Sequence, residues 1–187
     1  MMSRLFNVLV SLFIGILLLI PLIIVSLLVK LTSKGPVIHW SKRIGKNNAL
    51  FSMPKFRTMK IDTPQVATHL LQNGVNYLTP IGSFLRKSSL DEIPQLWSVL
   101  IGDMNLVGPR PALYNQDDLV ELRTKLGVHK LAPGVTGWAQ INGRDELPIP
   151  EKVKFDREYL ERKSIGFDMK IICLTVYKVL KRANIQH

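Results

Sequence analysis

This 187-residue chain is poor in cysteine, with one, in histidine, with four, and in acidic residues, with fourteen. The lone Cys173 excludes an internal disulfide and a cysteine-built zinc site. His39, His69, His129 and His187 fall into no H-E-x-x-H or related spacing, so any metal is expected to be a hard cation held by oxygens. Twenty-five lysines and arginines outnumber the acids, leaving a formal charge of +11. That excess suits nucleic acid, anionic lipid headgroups or a phosphorylated substrate. Charge is missing altogether from Leu5 to Val29, LFNVLVSLFIGILLLIPLIIVSLLV.

A run of about 20 apolar residues is enough to cross a bilayer core as a helix. This one exceeds that length, is too long for a signal-peptide core, and precedes no A-x-A cleavage site. Residues 1–31 are therefore expected to be a retained membrane segment, and 32–187 a catalytic-size domain at the cytoplasmic face. With a hydrophobic anchor present, lipid and phosphorylated substrates are favoured over nucleic acid. Pro21 would remove one helical hydrogen bond and crowd the preceding turn. Two geometries follow. One is a straight or kinked span with Arg4 outside and Lys30, Lys34, Lys42, Arg43 and Lys46 in the cytoplasm. The other is a helix broken at Pro21 that leaves by the face it entered.

Beyond the anchor, Val37–Trp40 and Ala49–Met53 read as short strands joined by a turn over residues 43–48. Lys55, Arg57 and Lys60 alternate with apolar residues, as a solvated basic edge or a phosphate contact would. Residues 79–87 predict a short helix with Pro80 at its first position. Residues 115–127 predict a helix ended by Gly127, with Leu119, Leu122 and Leu126 on one side. Residues 132–150 read as a long Gly/Pro loop. Residues 151–163 read as a charged helix pairing Phe155 with Tyr159. A last helix capped by Asp168 has an apolar run too short to span, and reads as a core or interfacial helix whose Lys178, Lys181 and Arg182 serve the interface.

Three places could carry chemistry. Ser89-Leu90-Asp91-Glu92 matches a capping box, but Pro94 then falls too deep in the helix. A helix starting at Asp91 removes that objection and sets both carboxylates at its positive end, favouring the ionised form. Such a group could act as a nucleophile or a magnesium ligand. In Gly108-Pro109-Arg110-Pro111 two prolines restrict the backbone around a five-donor cation, as for bidentate phosphate contact; a plain turn with an exposed arginine is the other reading. The glycines of 133–137 and 143, with Arg144, would admit backbone amides close to an anion, though no P-loop signature is present.

In order along the chain stand Gly35-Pro36-Val37, Arg43-Ile44-Gly45-Lys46 and Lys55-Phe56-Arg57-Thr58-Met59. Ser89-Leu90-Asp91-Glu92-Ile93-Pro94-Gln95-Leu96-Trp97, Gly102-Asp103-Met104 and Leu106-Val107-Gly108-Pro109-Arg110-Pro111 follow. Pro133-Gly134-Val135-Thr136-Gly137, Asn142-Gly143-Arg144 and Asp168-Met169-Lys170-Ile171 complete the set. Together they resemble the monotopic phosphoglycosyl transferases of the bacterial sugar transferase family, in its minimal form. The resemblance implies a mixed α/β, mostly helical fold with a re-entrant membrane helix broken at Pro21, a small β-hairpin and amphipathic interfacial helices. It implies that Asp91 attacks the β-phosphorus of a UDP-sugar, releases UMP, and passes the sugar phosphate to polyprenyl phosphate. Glu92 would serve magnesium and proton handling, and Mg2+ would sit on Asp91 and Glu92. Lys55, Arg57, Arg86, Arg110, Arg144 and Asp156 are the expected substrate and phosphate contacts. An N-acetylated sugar, anionic membrane lipids as partners, no nucleic acid, and a homodimer left open complete the expectation. Direct one-step transfer is the alternative mechanism. A membrane-tethered basic binding module is the alternative outside catalysis.

Overall fold

The computed structural model describes residues 4–63, 77–143 and 147–184. The uncharged run forms two helices, α1 (Arg4–Leu17) and α2 (Leu19–Thr32), bent by 63°. The break falls at Leu18 and not at Pro21. Proline has no N–H to give the Leu17 carbonyl, and in a continuous helix its ring would collide with it. The neighbouring bonds survive: the Leu18 N–H reaches the Ile14 carbonyl and the Leu22 N–H reaches the Leu18 carbonyl, both at 2.9 Å. Pro21 thus becomes a first-turn residue of α2, where no donor is needed. Among the described residues no single helix is long and apolar enough to cross a membrane, but the bent pair is, by length and composition.

Both ends of this elbow are tied to the same domain. At the start of α1, Arg4 donates to the Val99 and Leu100 carbonyls. One turn on, the Asn7 Oδ1 accepts the Leu106 N–H at 2.9 Å, and Asn7 is 1% exposed. At the end of α2, the Arg57 Nε donates to the Pro36 carbonyl at 2.6 Å, and its Nη2 reaches the Ser33 carbonyl and hydroxyl at 3.1 and 2.9 Å. Val25 and Val29 of α2 pack with Phe56 and Leu85 in a small cluster of their own.

The hairpin is longer than the sequence suggests. β1 (Ile38–Ile44) and β2 (Leu50–Phe56) pair antiparallel, Ile38 opposite Phe56 and Ile44 opposite Leu50, so Arg43 and Lys55 belong to the strands. The turn narrows to residues 45–49, with Asn47 and Asn48 at φ 53° and 60°, a region asparagine tolerates. Pro54 is accommodated because β2 is an edge strand, in the order β2-β1-β4. β3 (Asn105–Val107) runs parallel to β5 (Gly134–Thr136), and β4 (Ala112–Leu113) pairs with β1.

Several local expectations change. α3 (Gly82–Ser88) starts after Pro80. The capping box is not made: Ser89 takes the left-handed conformation, φ 59°, and Leu90–Gln95 is a 3-10 turn leading into α4 (Leu96–Ile101). α5 (Asp117–Lys125) is the expected helix, with Gly127 at φ 76° beyond it. The stretch 132–150 is no bare loop, since it holds β5 and α6 (Trp138–Asn142). α7 (Ile149–Arg162) precedes α8 (Ile165–Asn184). Tyr159 stacks on Phe167, centroids 6.1 Å apart. Ser164 caps α8 through the Phe167 N–H, while Asp168 accepts the Tyr159 hydroxyl at 2.7 Å. Ile171 of α8 joins Met104, Leu106, Val107 and Tyr159 in the main core, while Val176, Tyr177 and Val179 stay exposed. Lys178, expected at the interface, donates to the Ile141 carbonyl.

Replacing Asn7 by leucine leaves the buried Leu106 amide without the acceptor α1 gives it. The expected cost is about 1–3 kcal/mol, read as a lowered unfolding midpoint in matched detergent.

Candidate functional site

The left-handed Ser89 turns the chain sharply out of α3, so that Asp91 and Glu92 lie on a tight 3-10 turn packed against β2. Leu90 helps seat that turn by packing on the Phe56–Leu85 cluster. Asp91 is 7% exposed, whereas the Glu92 side chain keeps 20% of its surface. Burial comes first in raising the Asp91 pKa to about 6, and the like charge of Glu92 adds to it. Lys55, Arg86 and a backbone hydrogen bond oppose the rise without cancelling it. The expectation that a helix start favours the ionised carboxylate is therefore overturned. In so short a 3-10 turn few dipoles align, and desolvation outweighs them.

Cations close around the pair. Arg110, leaving β3, donates from Nη2 to the Glu92 Oε1 at 2.9 Å. Lys55, near the end of β2, has its pKa lowered to about 8 by burial first and Arg43 second, with Arg110 adding and both carboxylates opposing. His39 lies across from Lys55 in the hairpin, its own pKa lowered by burial, Lys55 and Arg43. Arg86 of α3 donates to the Thr58 hydroxyl at 2.9 Å; burial lowers its pKa and Asp91 opposes.

Of the residues expected at the site, Asp91, Glu92, Lys55, Arg86 and Arg110 come together here. Arg57 does not: it is 5% exposed and fastens the end of α2. Asp156 lies on α7, 1% exposed, where it accepts the Arg123 Nε and Nη2 at 2.9 and 2.6 Å. Arg144 lies outside the described residues. The glycines of 133–137 admit backbone, not a ligand: a Cβ at Gly134 would stand 2.1 Å from the Gly108 amide nitrogen. Arg43 and Arg123 were not singled out from sequence. Arg43 reads from the sequence as part of a turn and of a family motif, and no local signal marks Arg123.

An apolar groove of about 660 Å³ runs beside the turn, lined by Leu12, Ile16 and Leu22 of the elbow and by Trp40, Pro94 and Trp97 of the domain. The cluster of cations and carboxylates therefore lies beside an apolar surface. The model of one family, described as bacterial sugar transferase, matches residues 1–182. The chain belongs to the bacterial sugar transferase family. Curated relatives include the UDP-glucose:undecaprenyl-phosphate glucose-1-phosphate transferase of Escherichia coli (strain K12), 44% identical over 162 residues, which are 82% of this chain and 35% of that one. The undecaprenyl-phosphate galactose phosphotransferase of Salmonella typhimurium is 35% identical, over 79% of this chain and 34% of that one. The uncharacterized sugar transferase EpsL of Bacillus subtilis (strain 168) is 39% identical over 99% of this chain and 90% of its own. The chain thus spans about a third of the length of the first two relatives and nearly all of the third.

Among the described residues no group of three His, Cys, Asp or Glu side chains could hold a metal alone. Adjacent carboxylates that raise one another's proton affinity still fit a hard dication, since magnesium is often bound by one or two carboxylates plus substrate phosphates.

A carboxyl whose folded pKa of about 6 lies above its usual 3.8 costs stability once it ionises, so that stability is present at low pH and lost as pH rises toward and past 6. In magnesium-free protein at pH 7.5, Asp91→Asn should accordingly raise folding stability, by on the order of 2–3 kcal/mol. An unchanged or lowered melting midpoint would contradict the buried-charge account.

Proposed function

We propose that the protein is a phosphoglycosyl transferase that moves a sugar 1-phosphate from a UDP-sugar to polyprenyl phosphate at the cytoplasmic face of a bacterial inner membrane. The observation that carries this reading is the half-buried Asp91–Glu92 pair ringed by Lys55, Arg86 and Arg110. It lies beside an apolar groove in a chain of the bacterial sugar transferase family. Each chemical step brings an anion to a phosphorus already carrying negative charge, so compensating cations held in place are the central requirement.

In the proposed sequence an ionised Asp91 oxygen attacks the β-phosphorus of the donor, and the bond from that phosphorus to the bridging oxygen breaks. UMP leaves with the electron pair. An oxygen of polyprenyl phosphate then attacks the same phosphorus, freeing the Asp91 carboxylate and forming the polyprenyl diphosphate sugar. With a pKa of about 6, Asp91 is already largely ionised above that pH, and Glu92, more exposed and next to it, is the group we assign to taking its proton below it. Arg110 grips donor phosphate oxygens with the fork that now meets Glu92, and Lys55 and Arg86 offset the charge on Asp91. Magnesium held by Asp91 and Glu92 would add Lewis-acid screening of the diphosphate. The groove lined by Trp40 and Trp97 is where we put the first isoprene units. Arg144 remains a proposed phosphate contact on resemblance alone.

Two relatives carry glucose and galactose in their names, so a UDP-hexose is the donor class we propose. Its N-acetylated counterparts belong in the same panel. Incubation with each UDP-sugar and magnesium should give a phospho-sugar adduct by intact mass, absent in Asp91→Asn. Lipid product formed with no adduct at any time point would replace the two-step route by direct transfer. No UMP release from any donor, with or without polyprenyl phosphate, would favour a binding module.

We also propose that the elbow is re-entrant. Support comes from its two ends: Arg4 and Asn7 at one, Ser33 and Pro36 at the other, all bonded to one domain. In a Cys173→Ser background, a cysteine at Ser3 should resist an impermeant thiol reagent in intact cells and react after permeabilisation. Reaction in intact cells would mean a true span.

A further inference from the structure

Pro109 and Pro111 deprive the segment around Arg110 of amide donors, so it has to be held by its carbonyls. Three consecutive carbonyls are so held. The Pro109 oxygen accepts the Gly134 N–H at 2.9 Å. The Arg110 oxygen accepts the Arg123 Nη1 at 2.8 Å, and the Pro111 oxygen accepts the Arg43 Nη1 at 3.2 Å. Arg123 is itself fixed, because its Nε and Nη2 both donate to the Asp156 Oδ2 and the pair is 9% and 2% exposed. Five donors in a rigid plane let one guanidinium hold a carboxylate along one edge and a carbonyl from the other.

We propose that Arg123, seated on Asp156, and Arg43 are positioning residues that lock the backbone at and just after Arg110, as the Gly134 amide does before it, and so aim its guanidinium at the Asp91–Glu92 pair. This rests on the reading of Arg110 as the donor-phosphate contact. Asp156 then acts two residues removed from substrate, through Arg123 and the Arg110 backbone. A flexible arginine could also find Glu92, but it would lose rotational and backbone freedom each time it did so. Holding the main chain on both sides removes part of that loss beforehand. The alternative is that Arg123–Asp156 only clamps α5 to α7 and Arg43 only stiffens β1.

A double-mutant cycle separates these. Arg123→Lys keeps a cation opposite Asp156 and loses the fork. UMP release is measured in nanodiscs with undecaprenyl phosphate and the best UDP-hexose of the donor panel. In the native background Arg123→Lys should lower kcat by about 10- to 100-fold, with donor KM and melting midpoint nearly unchanged. In an Arg110→Ala background the same substitution should change kcat by less than about twofold, because its effect has no Arg110 to act through. An equal fold-loss in both backgrounds would overturn the proposal and leave Arg123 a structural clamp. Full activity of Arg110→Ala alone would instead sink the reading of Arg110, and this inference with it. If Arg123→Lys does not fold, the cycle is run with Arg43→Lys, which loosens the hold on the next carbonyl, that of Pro111, and carries the same expectations.

Discussion

Two carboxylates on neighbouring residues, one of them nearly buried, repel each other, and most of the domain is arranged around holding them together. Burial alone pushes Asp91 toward its protonated form. Cations brought from separate parts of the chain answer this: Lys55 from the hairpin and Arg86 from α3 limit that push, and Arg110 from the end of β3 pairs with Glu92. Lys55 is itself desolvated and beside Arg43 and Arg110, which is why its pKa is pulled down to about 8. The result is a cluster in which neither sign is fully neutralised. An anionic group and a dication would each relieve part of that imbalance, as the proposed chemistry requires.

The bent helix pair answers to a different constraint. A helix interrupted by proline must find a new direction at the preceding turn, and the direction found at Leu18 returns the chain to the domain it left. Polar residues that would be costly in hydrocarbon are the ones that dock it. Arg4 satisfies carbonyls at the end of α4, and Asn7 satisfies a β3 amide. The elbow also forms one wall of the apolar groove, with Pro94 and Trp97 of the turn and α4 on the other. Anchor and site are therefore one packed unit, built around the same short turn.

Much of the site was legible because its chemistry depends on residue type at close sequence spacing. Asp91 next to Glu92, and Arg110 between two prolines, are local facts that stand out in a single sequence. The broken helix was legible too, from Pro21 within an uncharged run, although the break itself sits at Leu18. What misled were local rules that tertiary contacts overrode. Ser89 adopts a left-handed turn in place of a capping box. Pro80 sits outside α3, and the glycines of 133–137 pack against the β3 backbone because parallel pairing with β5 demands close approach.

The sequence by itself determined the uncharged run, the family motifs and the adjacent carboxylates. Those follow from composition and short spacing, which need no folded context. Only the tertiary structure decided which cations gather at the carboxylate pair and which hold the scaffold. Arg57, Arg110 and Arg123 carry the same side chain, yet one fastens a helix end, one meets Glu92, and one holds a carbonyl from a seat on Asp156. A guanidinium takes its role from the acceptor it finds, and those acceptors lie 21, 18, 13 and 33 residues away in sequence. No local pattern encodes such distances, because they are set by how the strands and helices pack.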